Sequence, residues 1–238
     1  MAMIYDITDK KAAEENLKQD KENALMLYKT AEEASISNES AFLQAQIKPH
    51  FLYNALNIIA ALCRIDAGEA RELILDLSSY LHHSFDFRNL TKYISFDEEL
   101  EFIQAYVRIE QARFKDKVNV IYEIDDTEGL RLPPLLLQPL VENAIRHGIR
   151  KNETGRTVIL RVKNANEHCL IEIEDDGAGM APEQLEAIMQ GEETGGVGLA
   201  NIQKRLKMLY GTEFFIESRR GIGTKVTMTL PRGREDDI

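Results

Sequence analysis

The sequence from residue 8 to residue 62 contains no glycine, and its only proline is Pro49. A segment of this length with interleaved polar and apolar side chains predicts a nearly continuous helix. A proline inside a helix removes one backbone hydrogen bond and clashes with the preceding turn, at a cost of roughly 3 kcal/mol. His50 follows directly, so we expect the helix to present this titratable imidazole at a bend. The alternative is a histidine that is satisfied inside a packed core.

The segment upstream of Pro49 carries a weak heptad pattern, which places one polar residue, Asp20, in an otherwise apolar seam. The apolar seam residues are Ala13, Leu17, Ala24, Leu27, Ala31 and Ala34. This pattern predicts that residues 1–40 form a signalling helix in a parallel two-stranded coiled coil. A single amphipathic helix packed on its own domain is the alternative.

Apolar side chains become denser from Ala41 onward, and Asp66-Ala67-Gly68 marks a turn. A second amphipathic helix is expected from about Glu69 to Phe85. Two antiparallel helices joined by a short turn cannot bury wide apolar faces by themselves. We therefore expect residues 41–92 to dimerise into a four-helix bundle.

The second half of the chain has a different pattern, in which short apolar runs alternate with helical periodicity after a third helix at 97–114. The predicted strands are Val118–Ile124, Val158–Val162, Leu170–Glu174, Phe214–Ser218 and Thr224–Leu230. The predicted helices run from Pro133 to about Gly148 and from about Gly198 to Leu209. This order predicts an α+β domain over residues 93–234, with a mixed sheet and helices on one face.

Composition argues against several classes of function. The 238 residues carry a formal net charge of −11, which disfavours nucleic-acid binding through phosphates. No run approaches the ~18 apolar residues that a membrane span needs, and no signal peptide is visible. Cys63 and Cys169 lie in apolar runs, so we expect both to be buried, reduced thiols in a cytosolic compartment.

Three segments of the second half carry residues that a packed core does not select. In the first, Asn143, Arg146 and His147 lie within about one helical turn and share a face. An amide oxygen beside basic groups suits Mg²⁺ coordination and neutralisation of phosphate charge. A solvated helix face is the alternative.

The second segment is the turn Asp175-Asp176-Gly177-Ala178-Gly179, directly after a strand. A carboxylate at a strand end can accept a hydrogen bond from an exocyclic amine such as that of adenine, although a simple turn is the alternative. The third segment, residues 192–201, has three glycines within four residues before a helix, which predicts an anion-binding loop. No Walker A pattern is present, so this is not a P-loop protein.

Together, Asn143, the turn from Asp176 to Gly179 and Gly196–Leu199 resemble the N, G1 and G2 boxes of the Bergerat-type (GHKL) ATP-binding fold. Gly221-Ile222-Gly223-Thr224 resembles a further glycine-threonine element of that fold. More narrowly, residues 46–54 and 135–148 resemble the LytS/YehU type of sensor histidine kinase. The resemblance implies a helical dimerisation and phosphoacceptor region followed by a Bergerat-type α/β sandwich that binds ATP.

The resemblance also implies roles for individual residues. His50 would be the phosphoacceptor and Asn143 would hold Mg²⁺. Residues near the phosphates would be Arg146, His147, Gly196, Val197, Gly198 and Leu199. Residues at the adenine end would be Asp176, Gly177, Gly179 and Thr224.

Two departures concern the neighbours of His50. Many histidine kinases place an acidic residue directly after the phosphorylated histidine, whereas Phe51 follows here, and Glu98 or Glu99 is a conceivable base. Asn54 lies one turn after His50, where a polar residue can position water for dephosphorylation of the partner. A capping role or a buried amide at the dimer seam is the alternative for Asn54.

The resemblance implies a homodimeric, ATP-dependent kinase that passes phosphate from His50 to an aspartate in a response-regulator receiver domain. Residues 3–16 resemble the end of a PAS sensor domain, which implies a longer receptor whose sensor and any membrane anchor lie upstream. A GHKL ATPase, an anti-sigma-type serine kinase and a non-catalytic dimeric scaffold are the alternatives. Hydrolytic GHKL ATPases tend to use a glutamate one turn before the asparagine, and Pro139 occupies that position here.

Overall fold

The structure is a computed structural model that describes residues 49–86, 93–148, 157–189 and 197–233. The predicted coiled coil over residues 1–40 and the first part of the predicted bundle helix lie outside the described residues. Gly196 and the path of the chain before Pro49 also lie outside them, so the bend at Pro49 stays a prediction.

Three helices come first among the described residues: α1 spans Pro49–Leu62, α2 spans Ala67–Asp86 and α3 spans Phe96–Phe114. The Asp66 carboxylate accepts the Glu69 N–H at 3.0 Å and satisfies an amide in the first turn of α2. α3 begins with a capping box, in which Ser95 and Glu98 each accept the other's backbone N–H. The second and third predicted helices are therefore present. No helix among the described residues is both long and apolar enough to span a bilayer.

An aromatic cluster joins these three helices. The rings of Phe51 on α1 and Tyr80 on α2 lie 4.8 Å apart, and Tyr80 stacks on Phe102 of α3 at 4.8 Å. Tyr106, one turn further along α3, lies 5.1 Å from Phe51. Such aromatic pairs contribute about 0.5–1.5 kcal/mol beyond their buried area. α3 therefore covers one face of the α1–α2 hairpin within the same chain.

The opposite face of the hairpin stays exposed. Its large apolar side chains are Tyr53, Leu56, Ile65, Ile74 and Leu75. Cys63, in the turn after α1, is exposed as well, so the prediction that it is buried is wrong, whereas Cys169 is buried as expected. The apolar run around Cys63 was misleading because only one side of α1 faces α2 and α3.

A five-stranded mixed sheet forms the second part, in the order β2-β4-β5-β7-β6. The strands are β2 (Asn119–Ile124), β4 (Thr157–Ala165), β5 (His168–Asp175), β6 (Phe215–Arg219) and β7 (Gly223–Pro231). Only the β2–β4 pair is parallel, and the other pairs are antiparallel. Two short strands, β1 (Ile94–Ser95) and β3 (Arg131–Leu132), form a separate ladder that the sequence did not predict.

The two faces of the sheet differ in polarity, which confirms the predicted α+β layering. Val158, Leu160 and Val162 on β4 are fully buried. Arg161 points to the other face, where its guanidinium contacts Glu123, Glu172 and Glu174 on the strands to either side. Oppositely charged cross-strand pairs of this kind stabilise a solvated sheet face modestly.

The helix predicted from Pro133 to Gly148 is wrong at its start. α4 spans only Gln138–Asn143, a π-helical turn follows over Ala144–Gly148, and residues 133–137 are not helical. Leu135 has a φ of 59°, a left-handed conformation that costs a residue with a Cβ about 1–2 kcal/mol. The apolar pattern could not show this, because the conformation depends on partners distant in the chain.

Those partners are two charged side chains on other helices. The fully buried Glu99 carboxylate of α3 accepts the N–H groups of Leu135 at 2.8 Å, Leu137 at 2.9 Å and Gln138 at 3.1 Å. Arg205 lies on α6 (Val197–Tyr210) and donates to the Pro134 carbonyl oxygen at 2.8 Å. The segment before α4 is thus held from both sides.

Candidate active site

His50 is exposed in the first turn of α1, and Asn54 lies directly above it. The Asn54 amide nitrogen is 3.0 Å from His50 Nδ1 and 3.4 Å from Nε2. The structure therefore brings together the two predicted residues of α1. Phe51 points away into the aromatic cluster, so the residue in the place of the usual acidic neighbour has a packing role.

Both acidic residues considered as a base make hydrogen bonds elsewhere in the structure. The Glu98 carboxylate accepts the Ser95 N–H and O–H at 2.8 Å each, which holds the pKa of Glu98 below its usual range. Glu99 is committed to the segment before α4. Among the described residues, Asn54 is the side chain that makes a hydrogen bond with the His50 ring.

Asn143 is the last residue of α4, at the point where the helix widens into the π-helical turn. π-helical turns of this kind are rare and occur frequently at functional sites. Arg146 lies in this turn 3.7 Å from the carboxylate of Glu142, which is itself buried. The predicted phosphate contact of Arg146 would have to compete with that ion pair. The side chain of His147 lies outside the described residues.

The two carboxylates in the turn after β5 differ in their exposure to solvent. Asp175 is buried and accepts the Gly177 N–H at 2.9 Å, whereas Asp176 is exposed and accepts the Thr157 N–H at 2.8 Å. The adenine-reading role predicted for Asp176 stays a prediction, and of the two carboxylates Asp175 is the buried one. Strand alternation could have shown this, because Cys169, Ile171 and Ile173 point inward and Asp175 continues the same period of two.

The burial of Asp175 also changes the pKa of its carboxyl group. Burial raises the pKa of Asp175 from its usual value to about 6, while the N–H groups of Gly177 and Thr224 oppose that rise. Asp175 makes no ion pair with the residues that the structure describes, and such a buried carboxylate is a candidate binding group, because a ligand donor can replace the lost solvation.

A cavity lies beside this turn. Its lining includes Asp175, Thr224, Ser218, Ile216 and Leu185, the last from α5 (Pro182–Met189). The structure therefore places Thr224 beside Asp175. α5 itself was not predicted from the sequence.

Two glycines of the predicted boxes are required by contact between backbones. A Cβ on Gly179, which has φ +58°, would lie 1.9 Å from the Arg219 carbonyl oxygen. A Cβ on Gly223, with φ +133°, would lie 1.8 Å from the Asp175 carbonyl oxygen. These glycines let the turn after β5 dock on the turn between β6 and β7, so their part in shaping the pocket is indirect.

The predicted phosphate-binding residues Val197, Gly198 and Leu199 form the first turn of α6. The first N–H groups of a helix have no partner within the helix, and the helix dipole favours an anion near them. This placement agrees with the predicted role, although it stays a prediction for Gly196 and for each of these amides.

The raised pKa of Asp175 predicts an unusual pH dependence of stability. The folded state holds the proton more tightly than the unfolded state, so stability falls as pH rises from about 4 through about 6. Asp175→Asn should therefore raise the free energy of unfolding of the nucleotide-free protein by about 1–3 kcal/mol at pH 7.5. The gain should shrink to about 1 kcal/mol or less at pH 4.5.

Denaturant unfolding at the two pH values measures this effect. Asp176→Asn is the matched control, because it removes the neighbouring carboxylate, which is exposed. This variant should not show the gain in the free energy of unfolding that is expected for Asp175→Asn at pH 7.5. A loss of stability in Asp175→Asn at pH 7.5, or an equal gain at both pH values, would contradict the argument.

Comparisons with known families agree with this geometry. A family model described as histidine kinase matches residues 38–118. A second, described as histidine kinase-, DNA gyrase B-, and HSP90-like ATPase, matches residues 104–234. The two matches overlap on α3, the helix that contacts both the α1–α2 hairpin and the segment before α4.

Several individual proteins are similar to this chain. YwpD of Bacillus subtilis (strain 168) is 42% identical over 211 residues, which cover 88% of this chain and 75% of YwpD. The sensor histidine kinase YpdA of Escherichia coli (strain K12) is 40% identical over 193 residues, covering 81% of this chain and 34% of YpdA. The sensor protein LytS of Staphylococcus saprophyticus is 38% identical over 196 residues, covering 79% of this chain and 33% of LytS.

The chain spans about a third of the length of these two sensor proteins. The family matches and the α+β architecture confirm the resemblance that the motifs indicated. The chain belongs to the histidine kinase family and carries that family's ATPase-type nucleotide-binding domain.

Proposed function

We propose that this chain is the catalytic part of a two-component sensor kinase that uses ATP to phosphorylate His50. A neutral imidazole nitrogen attacks the γ-phosphorus, the bond from this phosphorus to the β–γ bridging oxygen breaks, and ADP leaves. The phosphoryl group then passes to an aspartate of a response-regulator receiver domain. The observation that carries the proposal is the exposed His50–Asn54 pair in a chain that also buries Asp175 beside Thr224.

The nucleotide groups divide between base and phosphates. Asp175 would accept a hydrogen bond from the adenine amine, and Thr224 would line the same end. Asn143 would hold Mg²⁺, which neutralises charge on the phosphates. The first-turn amides of α6 would face the phosphates.

Hydrolysis of ATP by water is the competing activity, and the surroundings of Asn143 disfavour it. Pro139 stands one turn before Asn143, where hydrolytic relatives tend to carry a glutamate base. The nearer carboxylate, Glu142, is buried and close to Gln138 and Arg146. A proline offers no group that could activate water, which favours transfer to a histidine over hydrolysis.

Labelling with γ-labelled ATP and Mg²⁺ tests the proposal. The label should be lost in acid and retained in alkali, as for a phosphorus–nitrogen bond on histidine. His50→Gln should abolish it, and Asn143→Ala should reduce it by about 100-fold through loss of the metal ligand. His82→Gln is the control, because this exposed histidine lies on α2 outside the proposed site.

The alternatives give different results in the same experiment. An acid-stable label indicates a serine kinase, and release of labelled phosphate without labelled protein indicates an ATPase. Absence of nucleotide binding indicates a scaffold. Retention of an acid-labile label in His50→Gln would overturn His50 as the acceptor.

We further propose a homodimer that forms through the exposed face of the α1–α2 hairpin. Leu56 is 54% exposed and Ile74 is 50% exposed, an unusual condition for large aliphatic side chains on two packed helices. A second copy placing the same face here would bury them in a four-helix bundle. Such a bundle would also position two copies of His50 around one axis.

Leu56→Asp should shift the protein from dimer to monomer in sedimentation velocity, because it places a charge in the proposed apolar seam. Met208→Asp is the control, since Met208 is 69% exposed on α6, away from the hairpin. Dissociation by both variants, or by neither, would count against this interface.

We propose that Asn54 positions the water molecule that dephosphorylates the receiver domain when that phosphorylated domain binds the kinase again. Its amide lies at the His50 ring, where the receiver aspartate must approach to accept the phosphoryl group. Asn54→Ala should keep the label on His50 and slow dephosphorylation of the receiver domain by about 10–100-fold. An unchanged dephosphorylation rate would contradict this role. The hydrogen bond to the His50 ring would then be the only function assigned to Asn54.

The proposed sensor context rests on similarity to longer proteins. YpdA and LytS are sensor proteins about three times the length of their matched regions. An upstream PAS-like sensor and a cytoplasmic place for this part of the receptor remain proposals, because residues 1–48 lie outside the described residues.

A further inference from the structure

The peptide group that joins Pro134 to Leu135 is held at both of its polar ends. Its carbonyl oxygen accepts a hydrogen bond from Arg205 of α6 at 2.8 Å, and its N–H donates to the Glu99 carboxylate of α3 at 2.8 Å. The peptide is trans, so these two groups point in opposite directions. One peptide plane is therefore fixed between a cation from one helix and an anion from another, through two charge-assisted hydrogen bonds.

The orientation of this peptide is one that the backbone by itself disfavours. Leu135 has a φ of 59°, and its side chain is almost fully buried. Turning the peptide by about half a rotation would return the φ of Leu135 to the negative range. The same turn would point the carbonyl away from Arg205 and the N–H away from Glu99. Strained conformations of this kind persist only where the surroundings hold them, and they are frequent at functional sites.

A second hydrogen bond joins α6 to the same stretch of chain. The hydroxyl of Tyr210, at the end of α6, donates to the Arg131 carbonyl oxygen at 3.1 Å. Ile202 and Leu206 of α6 are buried, but apolar packing is not directional and does not by itself fix where a helix lies along its axis. Arg205 lies roughly 12 Å from the start of α6, closer than Tyr210. Its guanidinium is therefore the nearer of these two directional contacts to the proposed phosphate end.

On its other side, the clamped peptide leads into α4. This helix begins at Gln138, three residues after Leu135, and ends at Asn143. α4 and α6 also contact each other. A change in the orientation of the peptide would therefore move Asn143 relative to the first turn of α6.

We propose that Arg205 is a positioning residue that acts through the peptide between Pro134 and Leu135. It holds the first turn of α6 at a fixed place relative to Asn143, so that the phosphate-binding amides and the metal ligand meet one Mg²⁺–ATP complex. The inference rests on the proposed function, because it assumes that ATP binds with its phosphates between these two elements. In this role Arg205 makes no contact with the reacting atoms.

This role predicts a specific loss of affinity. Without Mg²⁺, ATP would be held by its base and by the α6 amides, and neither contact needs Asn143. With Mg²⁺, the ion adds affinity only when the phosphates lie within reach of Asn143, and a displacement of about 1 Å is enough to lose much of such a gain. Loss of Arg205 should therefore lower the factor by which Mg²⁺ strengthens ATP binding, and not the affinity for ATP without Mg²⁺.

Equilibrium binding of ATP to the full chain, in Mg²⁺ and in EDTA, measures this factor. Arg205→Met keeps an aliphatic stem and removes the guanidinium. It should reduce the strengthening by Mg²⁺ by about 5–30-fold, and the affinity in EDTA should change by less than about twofold. Lys204→Met is the matched control, because Lys204 is the exposed neighbouring cation on α6 and should leave both affinities unchanged.

Hydrogen exchange of the nucleotide-free protein tests the clamp without any ligand. In Arg205→Met the Leu135 amide should exchange about tenfold faster or more, since the peptide is then held from one side only. The amide of Ile171, on the central strand of the sheet, should keep its rate. Arg205→Lys retains a cation that can donate to a carbonyl oxygen, and it should bring both the Mg²⁺ factor and the exchange rate to within about threefold of the unaltered chain.

The outcomes separate this inference from the proposed function. An unchanged Mg²⁺ factor in Arg205→Met or an unchanged exchange rate at Leu135 overturns the inference. Equal weakening of ATP in Mg²⁺ and in EDTA, with no recovery in Arg205→Lys, also overturns it, because that result indicates a general structural role. ATP binding that shows the expected Mg²⁺ factor but no labelling of His50 overturns only the proposed kinase function. Failure of the unaltered chain to bind ATP overturns both.

Discussion

The three hydrogen bonds that the Glu99 carboxylate accepts hold the nucleotide-binding part of this protein in shape. α4 has only six residues, its N-cap residue Leu137 provides no side-chain cap, and Pro139 has no N–H to offer. The Glu99 carboxylate of α3 therefore caps the beginning of α4, although the two lie about 40 residues apart in the sequence. Because α4 is so short, whatever sets its beginning also sets Asn143 at its end.

The same carboxylate connects the two functional halves. α3 packs Phe102 and Tyr106 against the helices that carry His50, while Glu99 near its beginning holds the segment before α4. Burial raises the pKa of Glu99, and the three N–H donors oppose that rise. Both of its oxygens are used, since Oε2 accepts the Leu135 N–H and Oε1 accepts those of Leu137 and Gln138. These hydrogen bonds thus connect the helix that neighbours His50 to the helix that ends in Asn143.

Much of this architecture could be predicted from the sequence because it depends on local periodicity. The apolar spacing of α2 and α3 and the alternation of β6 and β7 predicted their positions within a residue or two. The resemblance of the glycine boxes predicted the Bergerat-type fold. These patterns depend only on residues that are close in the sequence, so they can be recognised without knowing which distant residues are in contact.

The wrong prediction for the start of α4 concerns a segment whose conformation depends on residues distant in the sequence. Residues 133–137 have helical composition, yet Leu135 adopts a left-handed conformation because Glu99 and Arg205 hold the segment. Asp175 and Asp176 are adjacent in the sequence, and only the inward phase of β5 determines which of the two carboxylates is buried.

The exposure of Cys63 has a practical consequence. The chain has two cysteines, and Cys169 is fully buried with a pKa that burial raises, so its thiolate is scarce and shielded. Thiol reagents at neutral pH should therefore discriminate between the two sites without any substitution. The turn between α1 and α2 thus provides a native attachment point for a spin label or fluorophore. Two such probes in a pair of copies would report the separation of the hairpin tips directly.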